Sequence, residues 1–291
     1  MQHALCVFTP TYNRAYSLDT LYKSLIAQTS KDFYWLIVDD GSSDNTEELI
    51  RSFQNQGHIK IDYIKTENGG KQRAWNIGAL QCKAQLFMCV DSDDYLTVDA
   101  VKTILDAWDA CRASNTVLGV ATPRMPKNNN FPSRQSAKLS QIYSEYGYKG
   151  ETCIATRTST IKQHPFILAD SEKFIPELYV FDQIDKLGYH YTVNKVICRG
   201  EYLEDGYSAH YGRLLVNNPI CYSTYKLQCA RYATSTLSVA RETFLYLAWQ
   251  KIAKKSIIQA AAKAPRKVLA GILAPLAFTA APLLKRYVAR S

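Results

Sequence analysis

The sequence has little glycine and proline, and it has no closely spaced pair of cysteines. Its 291 residues include 13 Gly and 10 Pro, with 47% apolar and 21% charged residues. These proportions exclude collagen-like, low-complexity and intrinsically disordered chains. None of the eight cysteines forms a C-x-x-C pair and several lie in apolar runs, which argues against a zinc site and is typical of reduced, buried thiols. No basic leader precedes a long apolar run, so we expect no secretory signal and a cytoplasmic protein body.

Acidic residues are absent after Glu242. The chain has 35 basic and 26 acidic residues, and nine of the basic ones follow Glu242, so the charges of residues 1–242 balance. The net charge of +9 therefore belongs to the tail, where we expect attraction to an anionic partner. A neutral body argues against a nucleic-acid-binding protein, which needs basic and aromatic residues interleaved on its folded surface.

The first 115 residues alternate short β-rich apolar runs with helical patterns, which is typical of βαβ units on a parallel sheet. The pattern predicts strands near 4–9, 33–39, 59–65 and 86–91, and helices near 17–28, 44–55, 71–84 and 97–113. Residues 116–205 are less regular; they predict strands at 117–122 and 190–198 and a helix from Pro176 to Gly188. We divide the chain into residues 1–115, 116–222 and a basic helical tail, 223–291.

Polar motifs follow the four strands predicted in the first part. They are FTPTYNR (8–14), VDDGSSD (38–44), NGGKQRAWNIG (68–78) and MCVDSDDYL (88–96). The carboxyl ends of parallel strands meet at one edge of a sheet, where open α/β folds bind ligands. Each motif alone also fits an ordinary loop, turn, helix start or acidic surface segment. Their common position predicts a ligand site at that edge.

Three carboxylates, Asp91, Asp93 and Asp94, follow the fourth strand without a basic residue between them. Such a cluster is costly unless a cation neutralises it, and its oxygen ligands favour Mg²⁺ or Mn²⁺ that also contacts substrate phosphates. A carboxylate in the second motif can accept the N3 proton of a uracil ring, and cytidine has no proton there. The glycine-rich turn before Lys71 and Arg73 suits a phosphate at a helix amino terminus.

In this order, the motifs TPTYNR, VDDGSSD, GGK with AWNIG downstream, and DSDD resemble those of the family 2 glycosyltransferases. The resemblance is strong over residues 4–115 and looser over 116–222. It implies the α/β, Rossmann-like GT-A fold, here followed by a helical, membrane-associating tail. The implied reaction moves a sugar from a nucleotide-diphosphate sugar, with UDP expected as the nucleotide, to a hydroxyl of a glycan or polyprenyl-linked saccharide. Many members assemble bacterial surface polysaccharide such as capsule, O-antigen or exopolysaccharide.

The resemblance also implies roles for single residues. It assigns nucleotide binding to Thr9, Pro10, Tyr12, Arg14, Asp40 as the uracil contact, and Lys71. Asp91 and Asp93 match the Asp-x-Asp motif whose Mg²⁺ or Mn²⁺ bridges the donor diphosphate, with Asp93 expected as the direct ligand, and Asp94 is expected to face the donor sugar.

Family members usually invert the anomeric centre, which requires a base that deprotonates the acceptor hydroxyl. The family's usual Glu-Asp pair is missing from the expected place in this sequence. Glu177, after Pro176, is our first choice for the base and Asp182 the second, although a Glu is also common at an ordinary helix start. The segment YLEDGYSAH (202–210) resembles a loop over donor and acceptor; it offers Asp205 and Ser208 as sugar contacts and His210 as a weaker metal ligand.

An uncharged apolar segment in the tail, VLAGILAPLAFTAAPLL (268–284), lies between two basic pairs. As a helix its 17 residues would reach about 25 Å, short of a ~30 Å hydrocarbon core, and Pro275 and Pro282 are expected to bend it. We therefore expect an interfacial or re-entrant segment on anionic lipid at the inner face of the membrane. A true span and a soluble hairpin stay open.

Two other functions fit parts of the sequence. An aspartate-nucleophile phosphohydrolase also uses Asp-x-Asp after a strand, but it needs the motif early in the chain and a Thr or Val where Tyr95 stands. A catalytically degenerate nucleotide-sugar-binding scaffold at the membrane stays open because the Glu-Asp pair is missing.

Overall fold

The structure is a computed structural model that describes residues 3–200 and 210–290. It divides into two compact units. The first comprises Met1–Pro165 with Val180–Glu201, and the second comprises Phe166–Tyr179 with Tyr202–Ser291. One sheet contains strands from both sides of position 115, so the predicted division of the chain there is not a division between two sheets and stays a prediction about function.

Strands and helices alternate in the first part of the chain, as the pattern predicts. The elements there are β1 (Leu5–Thr11), α1 (Ala15–Ile26), β2 (Phe33–Asp39), α2 (Thr46–Gln56), β3 (Ile61–Lys65), α3 (Lys71–Gln81), β4 (Leu86–Cys89), β5 (Asp94–Leu96) and α4 (Ala100–Cys111). They are followed by β6 (Val117–Arg124), β7 (Ser136–Ala137), α5 (Leu139–Ser144), β8 (Glu151–Arg157), α6 (Thr158–Gln163), α7 (Leu178–Ile184), β9 (Tyr189–Thr192) and β10 (Cys198–Gly200).

The sheet has the order β3-β2-β1-β4-β8-β6-β10-β5, with β9 and β7 beside β6. Strands β1 to β4 are parallel, whereas β8 is antiparallel to both β4 and β6. All residues of β1 and β2 are buried, since helices cover both faces of such a sheet. Trp35 packs in this core with Tyr22 and Phe53, whose rings stack at 3.9 Å. The parallel strands thus bring the four motifs to one edge.

In the second part of the chain, one strand was not predicted, and one predicted strand is in fact two strands. β8 (Glu151–Arg157) lies in the centre of the sheet, in a stretch for which we predicted no element. The strand predicted at 190–198 is two strands, because residues 193–197 leave the sheet between β9 and β10. Helix α7 begins at Leu178, two residues after the predicted start at Pro176.

The second unit is mainly helical after residue 209. Its helices after residue 209 are α8 (Tyr211–Asn217), α9 (Pro219–Tyr232), α10 (Thr236–Ile252), α11 (Ile257–Lys263) and α12 (Lys267–Val288). Small side chains of α12, Ala270, Ala277 and Ala281, are buried in one cluster with Leu247 of α10. The prediction of a helical tail is therefore confirmed.

The apolar tail segment is longer as a helix than we predicted. α12 has 22 residues, because its charged ends, Lys267 at the start and Lys285 with Arg286 near the end, are helical too. Pro275 and Pro282 lie inside this helix and do not end it. At ~1.5 Å per residue the helix measures about 33 Å, so its length no longer argues against a span. By length and composition α12 is the one described helix that could cross a membrane.

Candidate functional site

The loops after β1 and β2 are joined by a net of hydrogen bonds. Asn13 has a left-handed backbone, with φ of 52°. Its side-chain oxygen accepts a hydrogen bond from the backbone amide of Ser43 at 2.8 Å, and its backbone amide donates to the hydroxyl of Ser42 at 2.8 Å. Asp44 accepts from the amide of Ala15 at 3.2 Å. The two loops are therefore fixed to each other at the sheet edge.

Only part of the predicted nucleotide-binding loop reaches the surface. Thr9 and Pro10 are buried within β1, and the Thr9 hydroxyl accepts a 2.9 Å hydrogen bond from the indole of Trp35. These two side chains pack within the sheet in this structure, and their contact with a nucleotide stays a prediction. Tyr12, in contrast, is 48% exposed, and Arg14 lies over the ring of Tyr16.

Asp40 holds the glycine-rich turn that leads into α3. Its carboxylate accepts from the amides of Gly69 and Gly70 at 2.7 and 2.8 Å and from the side chain of Asn68 at 3.2 Å. Gly41, with φ of 82°, allows the turns to approach, because a Cβ there would lie 2.8 Å from the Asn68 nitrogen. The amides that we expected to face a phosphate therefore bind Asp40 in this structure.

Lys71 begins α3 and pairs with the first carboxylate of the DSDD motif. Its ammonium lies 2.8 Å and 3.0 Å from the two carboxylate oxygens of Asp91, and its side chain is 17% exposed. Burial raises the pKa of Asp91, but the neighbouring charges of Lys71 and Arg124 outweigh it, so that pKa lies below its ordinary value. The structure thus brings two predicted site residues from different motifs together.

Asp94 is the most deeply buried carboxylate of the motif. It is 3% exposed and forms an ion pair with Arg124 at the end of β6, with 2.5 Å between the Asp94 oxygen and the guanidinium nitrogen. Burial and the charges of Asp91 and Asp93 raise the pKa of Asp94 to about 6, despite the lowering effect of Arg124. Asp94 is nearly closed to solvent in this structure, and its contact with a donor sugar stays a prediction.

Asp93 differs from its two neighbours. Among the described residues no basic side chain forms an ion pair with it, and it is partly buried. Burial and the charge of Asp91 raise the pKa of Asp93, while Arg14 and Lys71 lower it more weakly. The turn is closed by the amide of Asp94, which donates to the carbonyl of Asp91 at 3.0 Å. Of the three carboxylates, Asp93 is the one that most needs a cation.

The residues present fit a magnesium or manganese ion only in part. The described residues contain no group of three His, Cys, Asp or Glu side chains that could hold a metal by themselves. Asp93 supplies a hard oxygen ligand in a carboxylate-rich turn. This is typical of magnesium sites in which the substrate's phosphates provide further ligands. Asp91 fits a supporting position, since Lys71 already neutralises it.

The other predicted residues are distributed over both units. Glu177 is exposed in the second unit, immediately before α7. Burial is the main cause that raises the pKa of Tyr211 to about 12, and the charge of Glu177 adds to this rise. Asp182 lies within α7 in the first unit and is half-buried. His210 is exposed at the start of α8. Asp205 and Ser208 lie outside the described residues.

Sequence reasoning missed Arg124, Glu151 and Asn13. Arg124 and Glu151 face each other across β6 and β8 and form an ion pair. No sequence signal links them to the DSDD motif, because that link depends on how the second part of the chain enters the sheet. Asn13 was visible inside the TYNR motif, where an Asn favours a left-handed backbone.

Comparison with known proteins assigns a family. The model of Glycosyl transferase family 2 matches residues 6–174. Poly(ribitol-phosphate) beta-N-acetylglucosaminyltransferase TarS of Staphylococcus aureus is 31% identical over 98 residues, which are 33% of this chain and 17% of TarS. Validoxylamine A glucosyltransferase of Streptomyces hygroscopicus is 33% identical over 128 residues, 43% of this chain and 30% of that protein. The chain therefore matches less than a third of the length of either relative.

Solved structures share the fold. A crystal structure of Staphylococcus aureus TarS in complex with UDP-GlcNAc matches with a TM-score of 0.59 at 15% identity, covering 98% of this chain and 92% of that one. The mannosyltransferase PcManGT from Pyrobaculum calidifontis, in complex with GDP-Man and Mn²⁺, matches with a TM-score of 0.56 at 15% identity, covering 99% and 85%. At these identities the likeness shows the fold, and the predicted α/β GT-A fold is confirmed.

Proposed function

The chain belongs to glycosyl transferase family 2, and we propose from this that it moves a sugar from a UDP-sugar to a hydroxyl of a glycan or lipid-linked saccharide. That the protein is a sugar-transferring enzyme follows from the family. The choice of UDP is supported by the TarS complex with UDP-GlcNAc, whereas the PcManGT complex contains GDP-Man. Synthesis of a bacterial surface polysaccharide is the setting that such an activity suits.

The observation that carries the proposal is the charge arrangement of the DSDD motif. Lys71 neutralises Asp91 and Arg124 neutralises Asp94, which leaves Asp93 for a divalent cation. When bound with the donor, Mg²⁺ or Mn²⁺ would neutralise charge that develops on the leaving diphosphate. Tyr12, which is exposed, and Arg14, which is half-buried, are the side chains of the first loop that suit the nucleotide, with Asp40 as the proposed uracil contact.

The acceptor requires a base. In the proposed inverting reaction, the acceptor oxygen bonds to the anomeric carbon as the bond to the nucleoside diphosphate breaks, and the hydroxyl proton passes to a carboxylate. Glu177 is our first choice because it is exposed just before α7, and Asp182 is the second. Asp205 and Ser208 stay proposed sugar contacts on the grounds of the family resemblance alone.

Release of UDP from UDP-sugars, with Mn²⁺ and a panel of saccharide acceptors, tests the proposal. We expect Asp93→Asn to slow release about 100-fold or more, since several kcal/mol of charge stabilisation would be lost. Asp109→Asn is the matched control, because Asp109 is an exposed carboxylate on α4 in an ion pair with Arg112. Full activity of Asp93→Asn would refute the metal site, and inactivity of the wild type with every donor would favour the scaffold alternative.

We also propose that α12 attaches the protein to anionic lipid. One face of this helix bears buried alanines, and the opposite face exposes large apolar side chains: Val268, Ile272, Leu276, Leu283 and Tyr287. Only 17% of the apolar 18-residue stretch of this helix is buried. Basic residues stand at both helix ends, and no acidic residue follows Glu242. This arrangement suits a helix that lies in the membrane interface, while a span stays the alternative.

A further inference from the structure

Arg124 stands where four strands meet beside the DSDD motif. It is the last residue of β6 and lies opposite Glu151 of β8 and beside Cys198 of β10. In the antiparallel pair of β10 with β5, Gly200 lies opposite Asp94. The motif therefore ends on a short strand whose position depends on β6, β8 and β10.

The contacts of Arg124 lock the last carboxylate of the motif in place. One guanidinium nitrogen lies 2.5 Å from Asp94 and another pairs with Glu151. The second oxygen of Asp94 lies 3.6 Å from the Cys198 sulfur. A Cβ on Gly200 would overlap the Asp94 carboxylate, so this close approach requires glycine. Asp94 is thus confined from three sides.

The buried position of Asp94 indicates a role that differs from the predicted sugar contact. Its side chain is only 4% exposed, and the carboxylate points into the sheet towards Arg124. The turn that carries Asp93 ends on this anchored residue, because the Asp94 amide closes the turn on the Asp91 carbonyl. Any movement of Asp94 would be transmitted directly to Asp93, its neighbour in the chain.

We propose that Arg124 is a positioning residue for the donor site. By holding Asp94 against β10, it fixes the turn in the geometry that presents Asp93 to a cation and the donor diphosphate. A lysine would keep the charge but could not bridge Asp94 and Glu151 with a planar fork. The inference rests on the proposed function, since it needs a cation and a nucleotide at Asp93.

Calorimetric titration of UDP into the full chain with Mn²⁺ tests this role without requiring turnover. We expect Arg124→Met to weaken UDP binding at least tenfold and Arg124→Lys to restore part of that loss. Arg157→Met is the matched control: Arg157 is also a structural arginine, which donates to the carbonyls of Val117, Arg112 and Ser114. It should lower thermal stability and leave UDP affinity unchanged.

The outcomes separate this inference from the proposed function. Binding by no variant, including the wild type, would overturn the proposed function. Binding by the wild type with the same affinity in Arg124→Met would overturn the positioning role alone. If Arg124→Met does not fold, Gly200→Ala decides, since it keeps Arg124 and displaces Asp94; we expect at least a threefold loss of affinity, and an unchanged affinity would refute the role.

Discussion

At the scale of single residues, the three carboxylates of the DSDD motif have different surroundings. Lys71 pairs with Asp91 and Arg124 pairs with Asp94, and we propose Asp93 as the ligand of a cation. The motif is visible in the sequence, but this division is not, because Arg124 is 30 residues from Asp94 and reaches it only through the sheet. The family resemblance already named Asp93 as the expected metal ligand; what the sequence could not predict is that Arg124 holds Asp94.

Substitution of Glu177 tests whether it is the base that deprotonates the acceptor hydroxyl. Glu177→Gln keeps the size of the side chain and removes its ability to take a proton, so we expect UDP binding with Mn²⁺ to persist while transfer falls about 100-fold or more. Asp182→Asn is the comparison. The measurement is UDP release with a saccharide acceptor beside calorimetric UDP binding. Normal transfer by Glu177→Gln together with a loss in Asp182→Asn would move the base to Asp182.

His190 predicts a pH dependence of stability. It is wholly buried and its Nε2 lies 3.1 Å from the hydroxyl of Thr156, and burial lowers its pKa to about 3. An unfolded chain binds a proton at His190 below about pH 6.5, and the folded protein does not, so the free energy of unfolding falls as the pH falls. Urea unfolding at pH 7 and 5.5 should show a loss of about 1 kcal/mol that His190→Gln lacks. Equal losses in both proteins would contradict this.

At the scale of elements, the first four strands were predictable and β8 was not. β1 and β2 are continuous apolar runs with flanking turn motifs, which are typical of buried parallel strands. β8 reads ETCIATR, with small and polar residues and little apolar contrast, and it is a strand because β4 and β6 pair with it from both sides. Pairing with the neighbouring strands, and not the local sequence, therefore makes this segment a strand.

The packing of α3 on β1 predicts the effect of a single methyl group. A Cβ on Gly78 would overlap the ring of Phe8, which stacks on Phe87 at 4.9 Å. We expect Gly78→Ala to destabilise the protein by about 1–3 kcal/mol in urea unfolding, because it overpacks a closed contact. Gly271→Ala on α12 meets nothing within 4 Å and should be neutral or stabilising by up to about 1 kcal/mol. A neutral Gly78→Ala would contradict the close packing.

At the scale of the whole molecule, charge and exposed apolar surface concentrate in the tail. The net charge of +9 arises after Glu242, and α12 in the same stretch exposes one apolar face. The basic charge attracts an anionic surface, and the apolar face is unfavourable when it is exposed to water. Together they support the proposed attachment to an anionic membrane surface.

Sedimentation with vesicles tests this attachment on the full chain. We expect the wild type to bind phosphatidylglycerol-containing vesicles more tightly than pure phosphatidylcholine, with weaker binding in high salt. Ile272→Glu combined with Leu276→Glu should abolish binding, whereas Leu237→Glu, at an exposed apolar position on α10, should not. Unchanged binding of the double variant would refute the role of α12. Resistance of membrane-bound wild type to alkaline extraction would favour a span.

We propose that this family 2 glycosyltransferase binds a UDP-sugar donor together with a divalent cation at Asp93. Thermal unfolding with a panel of nucleotides, with and without Mn²⁺, tests it most directly, because a ligand that binds only the folded state stabilises it by about 2.7 kcal/mol at a hundredfold excess over Kd. We predict that UDP raises the melting temperature only with Mn²⁺ and that Asp93→Asn abolishes the shift. No shift with any nucleotide, or an equal shift in Asp93→Asn, would contradict the claim.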